Sequence, residues 1–204
     1  MADLRRPSVW IGLRALLLSW ALCLPTAGHA AEFLWEITSV TNRAYIFGTI
    51  HAGKKDWFPL AKPIEEAFAD AHVLVVEADV SDTAAMARSS EAMTYRPPDA
   101  LRKHVPPADY ARFQKLLAKH RIPEAQLGQL KPFMAVSARM FSEWARLGYL
   151  PSSGTDAYLI ARAKAEANPI LELEGIEAQV RIMDSLTDAQ HRAAFTGTLT
   201  AIES

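Results

Sequence analysis

The sequence predicts an α/β domain: a small mixed sheet with an N-terminal hairpin, flanked by several helices. Three observations carry that reading. The run Phe33-Leu-Trp-Glu-Ile37, the turn-rich Thr38 to Asn42 and the bulky Tyr45-Ile-Phe47 read as a β-hairpin. Then comes a strand, loop, helix and strand in the order of a crossover unit, ending at Val73-Leu-Val-Val76. A second helix feeds the alternating run Ile170-Leu-Glu-Leu-Glu174.

Before the fold is read, the N-terminus is set aside. Arg5, Arg6 and Arg14 make a basic segment, Ala15 to Leu24 is apolar, and Pro25 breaks the run. Gly28-His29-Ala30 places small residues at −3 and −1 of a cleavage site after Ala30. This is the pattern of a secretory signal peptide, so the chain is expected to be secreted, into a periplasm, with no transmembrane segment once processed. Cleavage leaves 174 of the 204 residues, residues 31–204, as a single domain. Losing three Arg and one Asp takes the 22 basic and 23 acidic side chains to 19 and 22, a formal net charge of −3. That balance gives no reason to expect nucleic acid. Cys23 leaves with the leader, which excludes disulfides, a thiol nucleophile and cysteine-type zinc sites in the processed chain. Half of the residues are apolar, which argues against disorder and for a packed core.

The hairpin's second strand, read as buried, runs into Gly48-Thr-Ile-His51. Gly48 allows a turn or a close approach, and His51 then stands just past a strand end. Pro63 suits the first turn of a helix in which Ile64, Ala67, Phe68 and Ala71 keep helical spacing. The apolar run Val73 to Val76 is expected to be covered on both faces. It ends in Glu77-Ala-Asp79, whose two carboxylates share a face if the strand continues. Helices are expected over Asp82–Met93, Ala108–His120, Lys131–Leu147 closed by Gly148, and from a cap at Thr155-Asp156 to Ala167. The aromatic and Met stripe of the third (Phe133, Val136, Met140, Phe141, Trp144, Leu147) reads as core. Glu172 and Glu174 share a face of the last strand. A short helix over Glu177–Met183 and one opened by a capping box, Thr187 with Gln190, end the chain. His104 and His120 read as surface residues and His72 as structural.

One imidazole with several strand-end carboxylates suits a divalent metal such as Mn²⁺, Co²⁺, Zn²⁺ or Fe²⁺ that activates water, with a nearby carboxylate as general base. The expected metal ligands are His51, Glu77 and Asp79. The expected catalytic carboxylates are Glu77 and Glu174, with Glu172 a further acidic partner. The bland reading competes with each: a structural histidine, solvated strand ends, and a helix cap at Asp156.

Phe33-Leu-Trp-Glu36, Tyr45-Ile-Phe-Gly-Thr-Ile-His-Ala52, Phe58-Pro-Leu60, Leu74-Val-Val-Glu-Ala-Asp79, Lys131-Pro-Phe133, Gly154-Thr-Asp156 and Leu171-Glu-Leu-Glu174 with Gln179 resemble the TraB/GumN family, which includes the TIKI proteases. The resemblance covers most of residues 33–185. It implies a fold related to the erythromycin-esterase and ChaN-like proteins and divalent-metal-dependent hydrolysis, with peptide as the substrate of the TIKI branch. It places His51 at the first of two Gly-x-x-His motifs and Glu77 at the following strand glutamate. Glu174 and Gln179 fall on a later segment. Gly48–His51 is the only Gly-x-x-His of residues 31–204, so the chain is expected to be shortened at its C-terminus relative to the family. Two further readings stay open: a non-catalytic module that binds and sequesters a peptide, and an inactive fragment.

Overall fold

The computed structural model describes residues 33–204; the leader and the expected cleavage site lie outside the described residues. Strands β1 (Leu34–Thr38) and β2 (Arg43–Phe47) form the antiparallel hairpin, in the register Leu34↔Phe47 to Thr38↔Arg43. Helix α1 (Lys62–Asp70) follows, with Pro63 in its first turn. Strand β3 (Leu74–Val76) comes next. Then come α2 (Thr83–Ala92), α3 (Pro107–Lys119), α4 (Glu124–Leu127), α5 (Pro132–Arg146) and α6 (Thr155–Ala165). Strand β4 (Ile170–Glu172) leads to α7 (Ile176–Asp184) and α8 (Asp188–Glu203).

The expected mixed sheet is two separate ladders among the described residues. β1 pairs β2, and β3 pairs β4 in parallel, Leu74↔Ile170 to Val76↔Glu172. The crossover unit is therefore present in order, but β2 and β3 do not pair. The strands are covered on one face. Phe47, Leu74 and Ile170 pack with Phe68, Leu159 and Ala163 of α1 and α6, while Ile46, Val75 and Leu171 on the other face are exposed. Neither Tyr45–Phe47 nor Val73–Val76 is thus the fully buried strand that its apolar run suggests, because α1 and α6 lie on the same side.

The larger apolar cluster is helical. Phe113, Leu117, Ala135, Val136, Phe195 and Leu199 of α3, α5 and α8 are almost wholly removed from water. Phe113 and Phe195 meet edge to face, with centroids 5.5 Å apart. The buried face of α5 is Pro132, Ala135, Val136 and Arg139, whereas Leu147 is exposed. Small side chains let α8 approach there, which shifts the buried stripe away from the larger residues. A third, small cluster joins Ala85 of α2 to Ile176 and Val180 of α7.

Several ends follow local chemistry read from sequence. Asp82 caps α2 by accepting from the Ala84 and Ala85 N–H groups. Thr187 and Gln190 make the full capping box of α8. Gly148, at φ +85°, follows α5.

Candidate functional site

His51 sits on the loop after β2, and that loop is stitched to the start of α6. The Ile50 N–H donates to Thr155 Oγ1 at 2.9 Å, and the Thr155 N–H donates back to the Ile50 carbonyl at 2.9 Å. One step further, Gly53 and Leu150 exchange backbone hydrogen bonds of 3.1 and 2.8 Å. Two glycines make this seam. A Cβ on Gly53 would lie 2.2 Å from the Ser153 carbonyl oxygen, and one on Gly154 would lie 2.9 Å from the His51 carbonyl carbon and oxygen. Gly48 is less constrained, since a Cβ there meets Phe33 at an ordinary 3.4 Å. The close approach expected at Gly48 is thus found at Gly53 and Gly154.

The seam brings His51 Nδ1 to 2.7 Å from Asp156 Oδ2. A carboxylate only accepts, so Nδ1 carries the proton and Nε2 is the free nitrogen, a tautomer assigned from the network. The His51 side chain is 65% exposed while Asp156 is only 14% exposed. Asp156 is not the cap expected from sequence. Gly154 occupies the cap position and no side chain caps α6. Asp156 instead points across to the histidine from the first turn of α6, where the helix dipole favours its charge. Its Oδ1 is buried, with no hydrogen-bond partner among the described residues.

His51 and Asp156 open onto a cleft of about 1220 Å³ between β2 and β3, which also takes in Glu77 and Gln179. Glu77 follows β3, is exposed, and receives a long 3.5 Å contact from the Gln179 amide. Its carbonyl accepts from the Glu174 and Gly175 N–H groups at 3.1 and 2.9 Å. Glu174 therefore props the backbone at Glu77, while its own side chain, like that of Glu172, is outside the cleft lining. β4 stops at Glu172 and Gly175 turns at φ +76°, so the alternation expected to Glu174 is cut short.

Asp79 does not share a face with Glu77, because extended structure ends at Val76. Asp79 Oδ2 pairs with Lys164 of α6 at 2.8 Å, and Oδ1 accepts from the Ser81 N–H at 3.0 Å. Burial works to raise its pKa, but the hydrogen bonds from Lys164 and Ser81 hold the carboxyl below its ordinary value. His72, expected to be structural, is exposed at the cleft. His120 is the reverse: expected at the surface, its side chain is only 12% exposed, beside Glu143.

Among the described residues, no three His, Cys, Asp or Glu side chains converge at metal-binding spacing. His51 and Glu77 face the cleft, and Asp79 is committed to Lys164. The residues described do not by themselves build the expected metal site. The feature that sequence reasoning undervalued is Asp156, whose signal was Gly154-Thr155-Asp156 itself: a glycine with no helix-breaking duty, just ahead of an acid.

The fold is an α/β domain in which a carboxylate orients a histidine on a strand-end loop. Residues 33–204 match the family described as TraB/PrgY/gumN, and the chain belongs to that family. Two relatives, both named Uncharacterized protein YbaP, come from Shigella flexneri and Escherichia coli strain K12. Each is 25% identical over 161 residues, which is 77% of this chain. The match spans 59% of the length of each relative. No solved structure matches the chain. No helix among the described residues is long and apolar enough to cross a membrane.

Proposed function

We propose that this chain is a secreted or periplasmic, peptide-directed hydrolase of the TraB/PrgY/gumN family, with His51 as its chemical centre. The supporting observation is the 2.7 Å hydrogen bond from His51 Nδ1 to the largely buried Asp156 carboxylate, at the edge of the cleft. Asp156 fixes the tautomer and leaves Nε2 facing the cleft. From there Nε2 takes a proton from water as the water attacks a carbonyl, and Asp156 stabilises the imidazolium that forms. Glu77, on the other wall, is the second group able to move a proton. Glu174 holds the Glu77 backbone, which makes it a positioning residue. A bound divalent metal (Mn²⁺, Co²⁺ or Zn²⁺) would supply activation of the water. The described residues do not fit one unaided, so no step is assigned to it.

The test is cleavage of a mixed peptide pool by the full chain, with chelator and with each metal added in turn. Cleavage is expected to fall on the order of 100-fold in both His51→Ala and Asp156→Asn, the scale of a lost general base. Cleavage unchanged by either substitution sinks the assignment. A second reading, a module that binds peptide without cutting it, is favoured by Asp79 being held by Lys164 rather than free for a metal. Binding without turnover in every metal condition would establish it.

A further inference from the structure

The turn of α6 that carries Asp156 is tied to the fold at a second place, by Glu65 of α1. Glu65 Oε1 accepts from the Leu60 N–H at 2.6 Å and from the Tyr158 hydroxyl at 3.0 Å. Its Oε2 pairs with the Arg162 guanidinium. The three donors come from the segment that runs on from the His51 loop and from two turns of α6. The Glu65 and Arg162 side chains are only 23% and 24% exposed, so solvent screens their pair less than it would at an open surface. Burial, then the hydrogen bond to Glu65, raises the pKa of the Tyr158 hydroxyl and keeps it the donor. The Tyr158 ring also stacks on Phe58, with centroids 4.3 Å apart, and the Arg162 guanidinium lies 4.2 Å from the centre of the Phe68 ring.

We propose that Glu65 is a positioning residue for the His51–Asp156 pair: it sets the tilt and rotation of α6 at which Asp156 meets the imidazole. The proposal rests on the reading of His51 as the chemical centre. The contacts close a ring. From His51 the chain runs on to Leu60, and Leu60 is bonded to Glu65. Glu65 is bonded to Tyr158, which shares the first turn of α6 with Asp156, and Asp156 returns to His51. The Gly53–Leu150 and Ile50–Thr155 bonds fix the chain just ahead of α6 and at its first residue. A helix held only at its end can still swing about that end. Glu65 holds it at Tyr158 and Arg162 as well. Small displacements decide the outcome, because the 2.7 Å bond to Asp156 is no longer a hydrogen bond by about 3.6 Å, a swing of roughly 1 Å. A misplacement of that size can lower the rate at an active site on the order of 100-fold. The α1 helix also gives the cleft Ile64, Ala67 and Phe68, so the same carboxylate registers the cleft lining against the histidine.

The experiment reads the imidazole nitrogen shifts of His51 in the full chain, in Glu65→Ala and in Glu65→Gln. The wild-type shifts are expected to show the proton on Nδ1. Glu65→Ala is expected to turn this into a mixture of the two tautomers, and to lower kcat for peptide cleavage about tenfold or more with KM little changed. Glu65→Gln keeps an acceptor for the Leu60 N–H and the Tyr158 hydroxyl, so it is expected to restore much of the Nδ1–H form. The control is Glu203→Ala, which removes a pair of similar exposure between Arg112 of α3 and Glu203 of α8. It is expected to leave the His51 shifts in place even where it lowers the thermal midpoint. Unchanged shifts in Glu65→Ala overturn the proposal, whatever happens to stability. An equal change in Glu203→Ala also overturns it, since general loosening then moves the pair. Where Glu65→Ala does not fold, Tyr158→Phe removes one of the three bonds and is read in the same way. The shifts need no peptide, so failure of the hydrolytic reading is seen separately, as absence of cleavage by the wild-type chain.

Discussion

Asp156 shows how one side chain changes role with its neighbours. At the start of a helix an aspartate is ordinarily a cap or a favourable charge. Here Gly154 takes the cap position, Thr155 binds the His51 loop, and Asp156 is left to hold the imidazole. That arrangement depends on Gly154. A methyl group there would sit 2.5 Å from Asp156 Oδ1 as well as against the His51 backbone. Gly154→Ala is expected to destabilise the fold by about 1–3 kcal/mol, the usual cost of forcing atoms into a packed site. It should also break the His51–Asp156 hydrogen bond. Chemical denaturation measures the first effect and the imidazole nitrogen shifts of His51 the second; an unchanged pair would show that the seam can yield.

His120 is the other informative histidine. Burial, then the nearby Arg139, push its pKa below the ordinary value. Its neutral ring accepts a 3.4 Å hydrogen bond from Arg146. A base whose pKa is depressed on folding binds protons more readily when unfolded. Its contribution is therefore complete above the unfolded value of about 6.5 and is lost as pH falls from there through the lower folded value. Stability should drop over that window, and His120→Asn should flatten the drop. Denaturant midpoints taken between pH 7.5 and pH 5 check this; parallel curves for the two proteins would refute it.

At the scale of elements, legibility followed how local the determining chemistry is. The hairpin, the Asp82 cap of α2 and the capping box of α8 are all set by residues within a few positions, and all were readable. What α5 buries was readable only at Val136. Its aromatic and Met residues suggested the core face, but the choice belongs to α8, which packs against Ala135 and Val136 and takes Arg139 out of water with them. The separation of Glu77 from Asp79 was hidden for a similar reason. The strand ends at Val76, before either acid, and Lys164, distant in sequence, then pairs with Asp79. The reach of the His51 loop to Asp156 spans 105 positions, so Gly154-Thr155-Asp156 marks a special helix start without naming the partner.

Arg139 carries an element-scale prediction. Its side chain is 1% exposed, and among the described residues its one ion pair is with Glu143 at 3.1 Å. Nε and Nη1 are buried with no partner. Burying a cation with incomplete pairing costs more than it returns, and an apolar replacement of similar volume often stabilises by about 1–4 kcal/mol. Glu143, half-buried, keeps Arg146 at 3.5 Å. Arg139→Met is expected to raise the thermal midpoint, read by circular dichroism. A lowered midpoint would mean that the guanidinium is satisfied in a way the helix packing does not reveal.

Across the whole molecule, apolar burial is unevenly distributed. The α3–α5–α8 cluster holds Phe113, Phe195 and Leu199 wholly out of water, whereas the cluster under the strands has Phe68, Leu159 and Ala163 as its buried members. The hairpin has its Trp35 and Ile37 exposed, and among the described residues its two strands pair only with each other. Opening free energy follows buried apolar contact and the shielding of backbone hydrogen bonds, so the two regions should not open together. Amides of α5 and α8 are expected to exchange only on global unfolding. Those of β1 and β2 should exchange at least tenfold faster, even where they are hydrogen-bonded. Native-state exchange at increasing low denaturant resolves the two populations. If hairpin amides joined the slowest set, the strands would be held by something beyond the contacts described. If they exchange early, the hairpin lies in the less stable region, and the His51 loop that follows it depends on its seam with α6 for its position.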